Sequence, residues 1–161
     1  MRRQIIRVVF TVVAVMGVAF PVAAQSADPW FGTWKLNLAK SKYSPGPPPK
    51  SPTMRKVEPW EGGLKDTADG VNAQGQATHT ETSAKFDGKA YPVKGAAVAN
   101  TTRAYTRIDG RTTQFVTKVD GKVTTTTRIT FSPDGKMETG TTTGKNAQGQ
   151  TVNNVAVWDK Q

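Results

Sequence analysis

Apolar and polar residues alternate singly along most of the chain after residue 30. In Lys122 to Phe131 one face reads Val123, Thr125, Thr127, Ile129, Phe131 and the other Lys122, Thr124, Thr126, Arg128, Thr130. A period of two is that of a half-buried β-strand. The same alternation places Thr113, Phe115, Thr117 and Val119 on one side of 111–119, and Trp34, Leu36 and Leu38 opposite Lys35 and Asn37. Residues 101–143 contain 15 threonines, a β-branched residue that favours strands and would weaken a helix at that density. The pattern predicts strands over 31–38, 54–60, 64–71, 76–86, 89–93, 102–108, 111–119, 122–131, 136–143 and 150–159. No segment sustains the helical spacing of apolar residues.

Turn chemistry divides these runs. Asp87-Gly88, Asp109-Gly110 and Asp120-Gly121 supply the positive φ angles of two-residue hairpin turns, and Ser132-Pro133-Asp134-Gly135 marks a longer reversal. The pentapeptide Asn-Ala-Gln-Gly-Gln occurs at 72–76 and at 146–150. A faint duplication or two loops of one design explain it equally, because Asn and Gly are what such loops select. Strands joined in sequence by tight turns form a meander, and closing the meander removes its exposed edges. The expected fold is all-β: a single up-and-down antiparallel β-barrel of about 8–10 strands. Its inner faces mix Val, Ile and Phe with Thr and with Asn153 or Asn154, so the barrel is either hollow and partly wet or filled by its own side chains.

The first residues change the compartment. Arg2, Arg3 and Arg7 precede an apolar run from Val8 to Phe20, and Val22-Ala23-Ala24 offers small residues for cleavage, the layout of an export signal. The run falls short of the roughly 20 residues needed to span a bilayer. Residues 1–24 are therefore read as a cleaved signal peptide, Sec-type or, from Arg2-Arg3, twin-arginine, and 25–161 as one domain, periplasmic or secreted. With no cysteine in the chain, a disulfide or a lipidated cysteine is impossible. Removing three of the 22 basic groups leaves 19 against 12 acidic ones, a net +7. Residues 29–57 hold Lys35, Lys40, Lys42, Lys50, Arg55 and Lys56 and no acidic residue. Such a surface either solubilises or attracts an anionic envelope component; nucleic acid is not an expected partner of an exported chain.

Candidate chemistry is sparse. His79 and Glu81, two apart on one strand, share a face and could form an acid–base pair, but the neighbouring Thr78, Thr80, Thr82 and Ser83 follow no nucleophile motif. One histidine and no cysteine cannot build a closed transition-metal site, and no glycine-rich phosphate loop precedes a helix. No catalytic residue, metal or cofactor is expected. Trp60, Tyr91, Tyr105, Phe115 and Trp158 lie on or beside predicted strands, where rigid rings either line pockets or pack the core. Arg103, Tyr105 and Arg107 share one strand face, a cradle for an anionic headgroup if it points inward.

Phe31-Gly32-Thr33-Trp34-Lys35-Leu36 at the start and Val155-Ala156-Val157-Trp158-Asp159-Lys160 at the end resemble the first and last strands of the calycin superfamily, which includes lipocalins and fatty-acid-binding proteins. That resemblance implies that Trp34 closes one end of the barrel beside a basic residue from a late strand, Lys160 or Arg128. Gly-Thr-Trp-Lys-Leu-Asn, Ala-Lys-Ser-Lys-Tyr, Asp-Gly-Lys-x-Tyr-Pro-Val and Val-Asn-Asn-Val-Ala-Val are similar to motifs of an exported bacterial lipocalin-like family of unknown function, a likeness covering nearly all of 30–161. The chain departs from fatty-acid-binding proteins in two places. Ala156 and Trp158 stand where those proteins carry an Arg-x-Tyr pair, and five prolines within 45–52 replace their helical lid. A fatty acid is thus not implied. The expected function is non-enzymatic binding, by a monomer, of a small apolar or amphipathic molecule, with Trp60, Arg103, Tyr105, Arg107, Phe115, Thr127 and Trp158 as the binding residues. A filled barrel acting through its basic surface is the alternative, and an isomerase or hydrolase using His79 a third reading.

Overall fold

The computed structural model describes residues 28–146 and 148–161; the export signal expected at 1–24 lies outside the described residues. All ten expected strands are present: β1 (Gly32–Leu36), β2 (Ser51–Trp60), β3 (Gly63–Val71), β4 (Ala77–Ala84), β5 (Asp87–Pro92), β6 (Thr101–Arg107), β7 (Thr112–Val119), β8 (Lys122–Phe131), β9 (Met137–Lys145) and β10 (Thr151–Lys160). They form one antiparallel sheet in the order β4-β3-β2-β1-β10-β9-β8-β7-β6-β5. The first and last strands pair, with Trp34 opposite Lys160, Lys35 opposite Asp159 and Leu36 opposite Trp158. The result is an up-and-down β-barrel, nearly closed.

Closure is completed by very little. β4 and β5 do not share a ladder; a bridge between Glu81 and Lys94 joins the two edges. Glu81 N–H donates to Lys94 O at 3.0 Å and Lys94 N–H to Glu81 O at 2.9 Å. The Glu81 carboxylate reinforces this seam, 2.9 Å from Lys65 Nζ and 3.2 Å from Lys94 Nζ. These lysines hold its carboxyl below the usual range of 4.5.

Of the three Asp-Gly pairs expected as two-residue hairpins, one forms such a turn; Asp109-Gly110 lies in the connection 108–111 between β6 and β7 without positive φ. Asp120 and Gly121 both have positive φ, 48° and 78°, and join β7 to β8 in two residues. The repeated pentapeptides adopt one loop design: Asn72 Oδ1 accepts from the N–H groups of Gln74 and Gln76, and Asn146 Oδ1 from those of Gln148 and Gln150. Asp87-Gly88 is a correction to the hairpin reading. It lies within β5, where the register against β6 shifts between Asp87 and Ala90, so its positive φ makes a bulge. β1 also ends earlier than alternation suggested. Asn37 N–H still donates to Val157 O at 2.8 Å, residues 38–41 leave the sheet, and pairing with β10 resumes at Lys42, whose N–H donates to Val155 O at 2.7 Å.

One end of the barrel is plugged by aromatic side chains. Trp30 and Trp34 are 1% and 0% exposed. Trp30, which lies before β1 and outside every alternating run, is the central ring: its centroid is 5.3 Å from Phe131, 6.2 Å from Phe86 and 6.5 Å from Tyr105. Its indole N–H donates to Thr113 Oγ1 at 2.9 Å, and that of Trp34 donates to Trp30 O at 3.1 Å. Lys160 Nζ lies 5.0 Å from the Trp34 ring centroid and donates to Pro29 O at 3.3 Å. Gly32 makes this crossing possible, since a Cβ there would stand 2.7 Å from Lys160 Cε. Arg128 is exposed on the outer face, because its position in β8 alternates with the inward Thr127 and Ile129; Lys160 alone occupies the place beside Trp34.

The seam gives a pH prediction. Glu81 has a depressed pKa in the folded state, so its contribution is present above pH 4.5 and is lost as pH falls below that through its folded value. The groups facing it are Lys65 and Lys94, with Glu58 acting on Lys65. The protection factors of the Glu81 and Lys94 amides, taken against intrinsic exchange at each pH, are expected to fall in acid, and at neutral pH in Glu81→Gln, while those of β7 to β10 hold; a uniform fall would refute a local seam.

Candidate functional site

Above the aromatic plug the interior opens into a cavity of about 180 Å³. Strand alternation determines what faces it. β2 turns Arg55 inward beside Val57; β3 turns in Leu64, Asp66 and Ala68; β9 turns in Glu138, Gly140 and Thr142. Thr80, Arg103, Phe115, Thr127, Ile129, Ala156 and Trp158 complete the wall. Gly140 keeps part of the space empty: a Cβ there would meet Thr127 Cγ2 at 3.7 Å and Ile129 Cγ1 at 3.8 Å.

The cavity floor is charged. Arg55 and Glu138, both buried, form an ion pair through Nη2 and Oε2. The Arg55 guanidinium also lies over Trp158, 4.7 Å from its centroid, and over Trp30 at 5.9 Å. Burial pulls the Arg55 pKa down, but Glu138, Asp66 and Tyr105 together raise it above its ordinary value. Burial pushes the Glu138 carboxyl up, against the opposing pull of Arg55. Asp66 is buried and has no ion-pair or hydrogen-bond partner among the described residues. Arg103 stacks on Phe115, its Cζ 5.0 Å from the centroid. Arg55 Nε, Arg103 Nε and Glu138 Oε1 in the cavity wall, and Tyr105 OH and Thr82 Oγ1 outside it, are buried without a hydrogen-bond partner among the described residues. Most buried polar atoms in folded proteins are paired, so this concentration marks a place built to meet a polar group or water.

A second space adjoins the first. Thr80 and Arg103 line both the cavity and a groove of about 270 Å³ at the end opposite the plug. The groove is bounded by Val93, Ala96, Ala97 and Val98 of the β5–β6 connection and by Val119 at the end of β7. Its wall is mainly aliphatic and hydroxylic, in contrast to the ionic floor.

The structure brings together Arg103, Phe115, Thr127 and Trp158 of the expected binding residues, all in the cavity wall. Tyr105 lies in the aromatic core, its hydroxyl unpartnered and influenced by Arg103, Asp66 and Arg55. Two assignments are corrected. Trp60, at the end of β2, is one residue out of phase with the inward Arg55 and Val57 and is not among the cavity residues. Arg107 shares the face of Arg103 and Tyr105, as alternation requires, but sits at the plugged end, with Nη2 2.7 Å from Asp28 Oδ2 and Cζ 4.3 Å from the Phe86 centroid. Asn154 accepts a hydrogen bond from Ser44 N–H at 2.8 Å instead of lining the cavity.

His79 does not pair with Glu81. Its side chain is 61% exposed on the outer face, with Nδ1 2.7 Å from Asp69 Oδ1. Arg55 was expected in the basic surface of 29–57, yet it is the most deeply buried charge of that segment. Sequence reasoning missed Asp66 and Glu138 altogether. Their signal was parity: Asp66 is in phase with Leu64 and Ala68, and Glu138 with Gly140, so each carboxylate falls on an inward face.

The geometry defines an antiparallel barrel with a plugged base, an ionic floor and an apolar opening. No protein-family model, curated protein or solved structure matches the chain.

The ion pair yields a stability prediction. Glu138→Ala leaves Arg55 buried without its counter-charge and is expected to cost about 3–5 kcal/mol, whereas the double replacement Arg55→Met with Glu138→Leu is expected to cost far less or to stabilise. Urea unfolding of both variants checks this; equal losses would show that the pair itself supplies the stability.

Proposed function

We propose that this protein is an exported, non-enzymatic, lipocalin-like carrier that binds one small, partly apolar molecule inside its barrel. The supporting observation is that the polar-floored cavity and the aliphatic groove adjoin, with Thr80 and Arg103 lining both. Together their volumes fall within the roughly 300–1,000 Å³ usual for small-molecule sites. Such a molecule places an apolar body against Val93, Val98 and Val119 and a polar end near Arg103 and Asp66. Phe115 and Trp158 flank it with flat apolar surface, and the threonines of β7 and β8 provide hydroxyls along the wall. The export signal read in residues 1–24 supports a periplasmic or secreted location for this carrier.

Two measurements test the reading. Native mass spectrometry of protein recovered from its own periplasm is expected to show a co-purifying small molecule. Nile red, an uncharged dye, is expected to bind and brighten, and Ala68→Phe, which fills the cavity from β3, is expected to weaken that binding at least about tenfold with the fold preserved. A native protein that repeatedly carries nothing and leaves Nile red unbound would end the carrier reading.

A further inference from the structure

The floor of the cavity carries two cations and two anions. Arg55 and Glu138 compensate one another as an ion pair; an uncompensated guanidinium at that depth would be strongly destabilising. Asp66 and Arg103 face the same space, and neither has an ion-pair partner among the described residues. The four formal charges cancel. A ligand bringing a net charge would bury it without compensation, at the cost that applies to any unpaired charge in a low-dielectric interior. The unpartnered atoms offer both kinds of hydrogen bond: Arg55 Nε–H and Arg103 Nε–H as donors, and Glu138 Oε1 together with the unbonded Asp66 carboxylate as acceptors. A carboxylate head would meet the donors but face two carboxylates. An ammonium head would meet the acceptors but face two guanidinium groups.

Resting on the carrier reading above, we infer that the cavity selects ligands with an uncharged polar head that both donates and accepts hydrogen bonds, of which a primary carboxamide is the simplest, and discriminates against carboxylates and amines on the same apolar tail. Asp66 and Arg103 are the residues that determine this specificity, because they are the floor charges with no ion-pair partner among the described residues. Removing either charge leaves a net charge of the opposite sign.

Decanamide, decanoate and decylamine, which share a ten-carbon chain, separate the possibilities at neutral pH by titration of Trp fluorescence, Trp158 lining the cavity. Decanamide is expected to bind at least about tenfold more tightly than either ion. Asp66→Asn is expected to shift the preference toward decanoate and Arg103→Gln toward decylamine; Arg103 is only half-buried, so its variant serves even where Asp66→Asn fails to fold. The inference is overturned if decanoate or decylamine is the tightest ligand of the natural protein, or if the folded variants keep its order of preference. Nile red separates the two levels. Dye binding with none of the three probes bound sinks the head-group inference alone, and loss of the dye as well sinks the carrier reading beneath it.

Discussion

The interior depends on the contact between Arg55 of β2 and Glu138 of β9. The two strands are not neighbours in the sheet, so the ion pair reaches across the barrel rather than along it. Below it the interior is aromatic and closely packed, built on Trp30, Trp34, Tyr105 and Phe131. Above it the wall carries Asp66, Arg103 and threonines around unfilled space. The guanidinium of Arg55 joins both regions, lying over Trp30 of the plug and Trp158 of the cavity wall. A buried ion pair of this kind adds less stability than well-packed apolar side chains of the same volume. What it supplies here is a fixed, charged boundary that stops the aromatic core from filling the whole barrel.

Closure of the barrel has a similar asymmetry. Eight sequential hairpin ladders and the β1–β10 pairing form continuous hydrogen-bonded sheet, while the β4 edge meets the other edge through the Glu81–Lys94 bridge. That bridge is held by two backbone hydrogen bonds and an exposed ion cluster; exposed ion pairs contribute little to stability. The residue before Lys94, Val93, lines the apolar groove, and so do Ala96 and Ala97 just beyond it. The weakest seam of the barrel therefore lies beside its open end, where a lowered local stability costs the fold least.

Much of the architecture was legible because strand periodicity and turn chemistry are local. Alternation located every strand to within a few residues, and Asp120-Gly121 and the two Asn-Ala-Gln-Gly-Gln loops do what their residues favour. Asp87-Gly88 misled because the same positive φ serves a bulge as readily as a hairpin. The site was legible only in part. Arg103, Phe115, Thr127 and Trp158 were reached from aromatic content and shared faces, but Trp60 and Arg107 were placed without knowing phase or height within the barrel. Asp66 and Glu138 were overlooked because an acid in a polar strand looks like a solvated residue until its face is known to be inward.

By itself the sequence determined an all-β meander, the order and extent of its strands, and which residues in each strand share a face. Those properties follow from neighbours one to four positions apart, through backbone sterics and side-chain alternation. Only the tertiary structure decided which face became the interior of each strand, how high along the barrel each inward residue sits, and which charges meet. Arg55 and Glu138 are 83 residues apart in the chain; no local pattern carries their encounter, which exists because β2 and β9 are bent round toward each other by closure through β1 and β10.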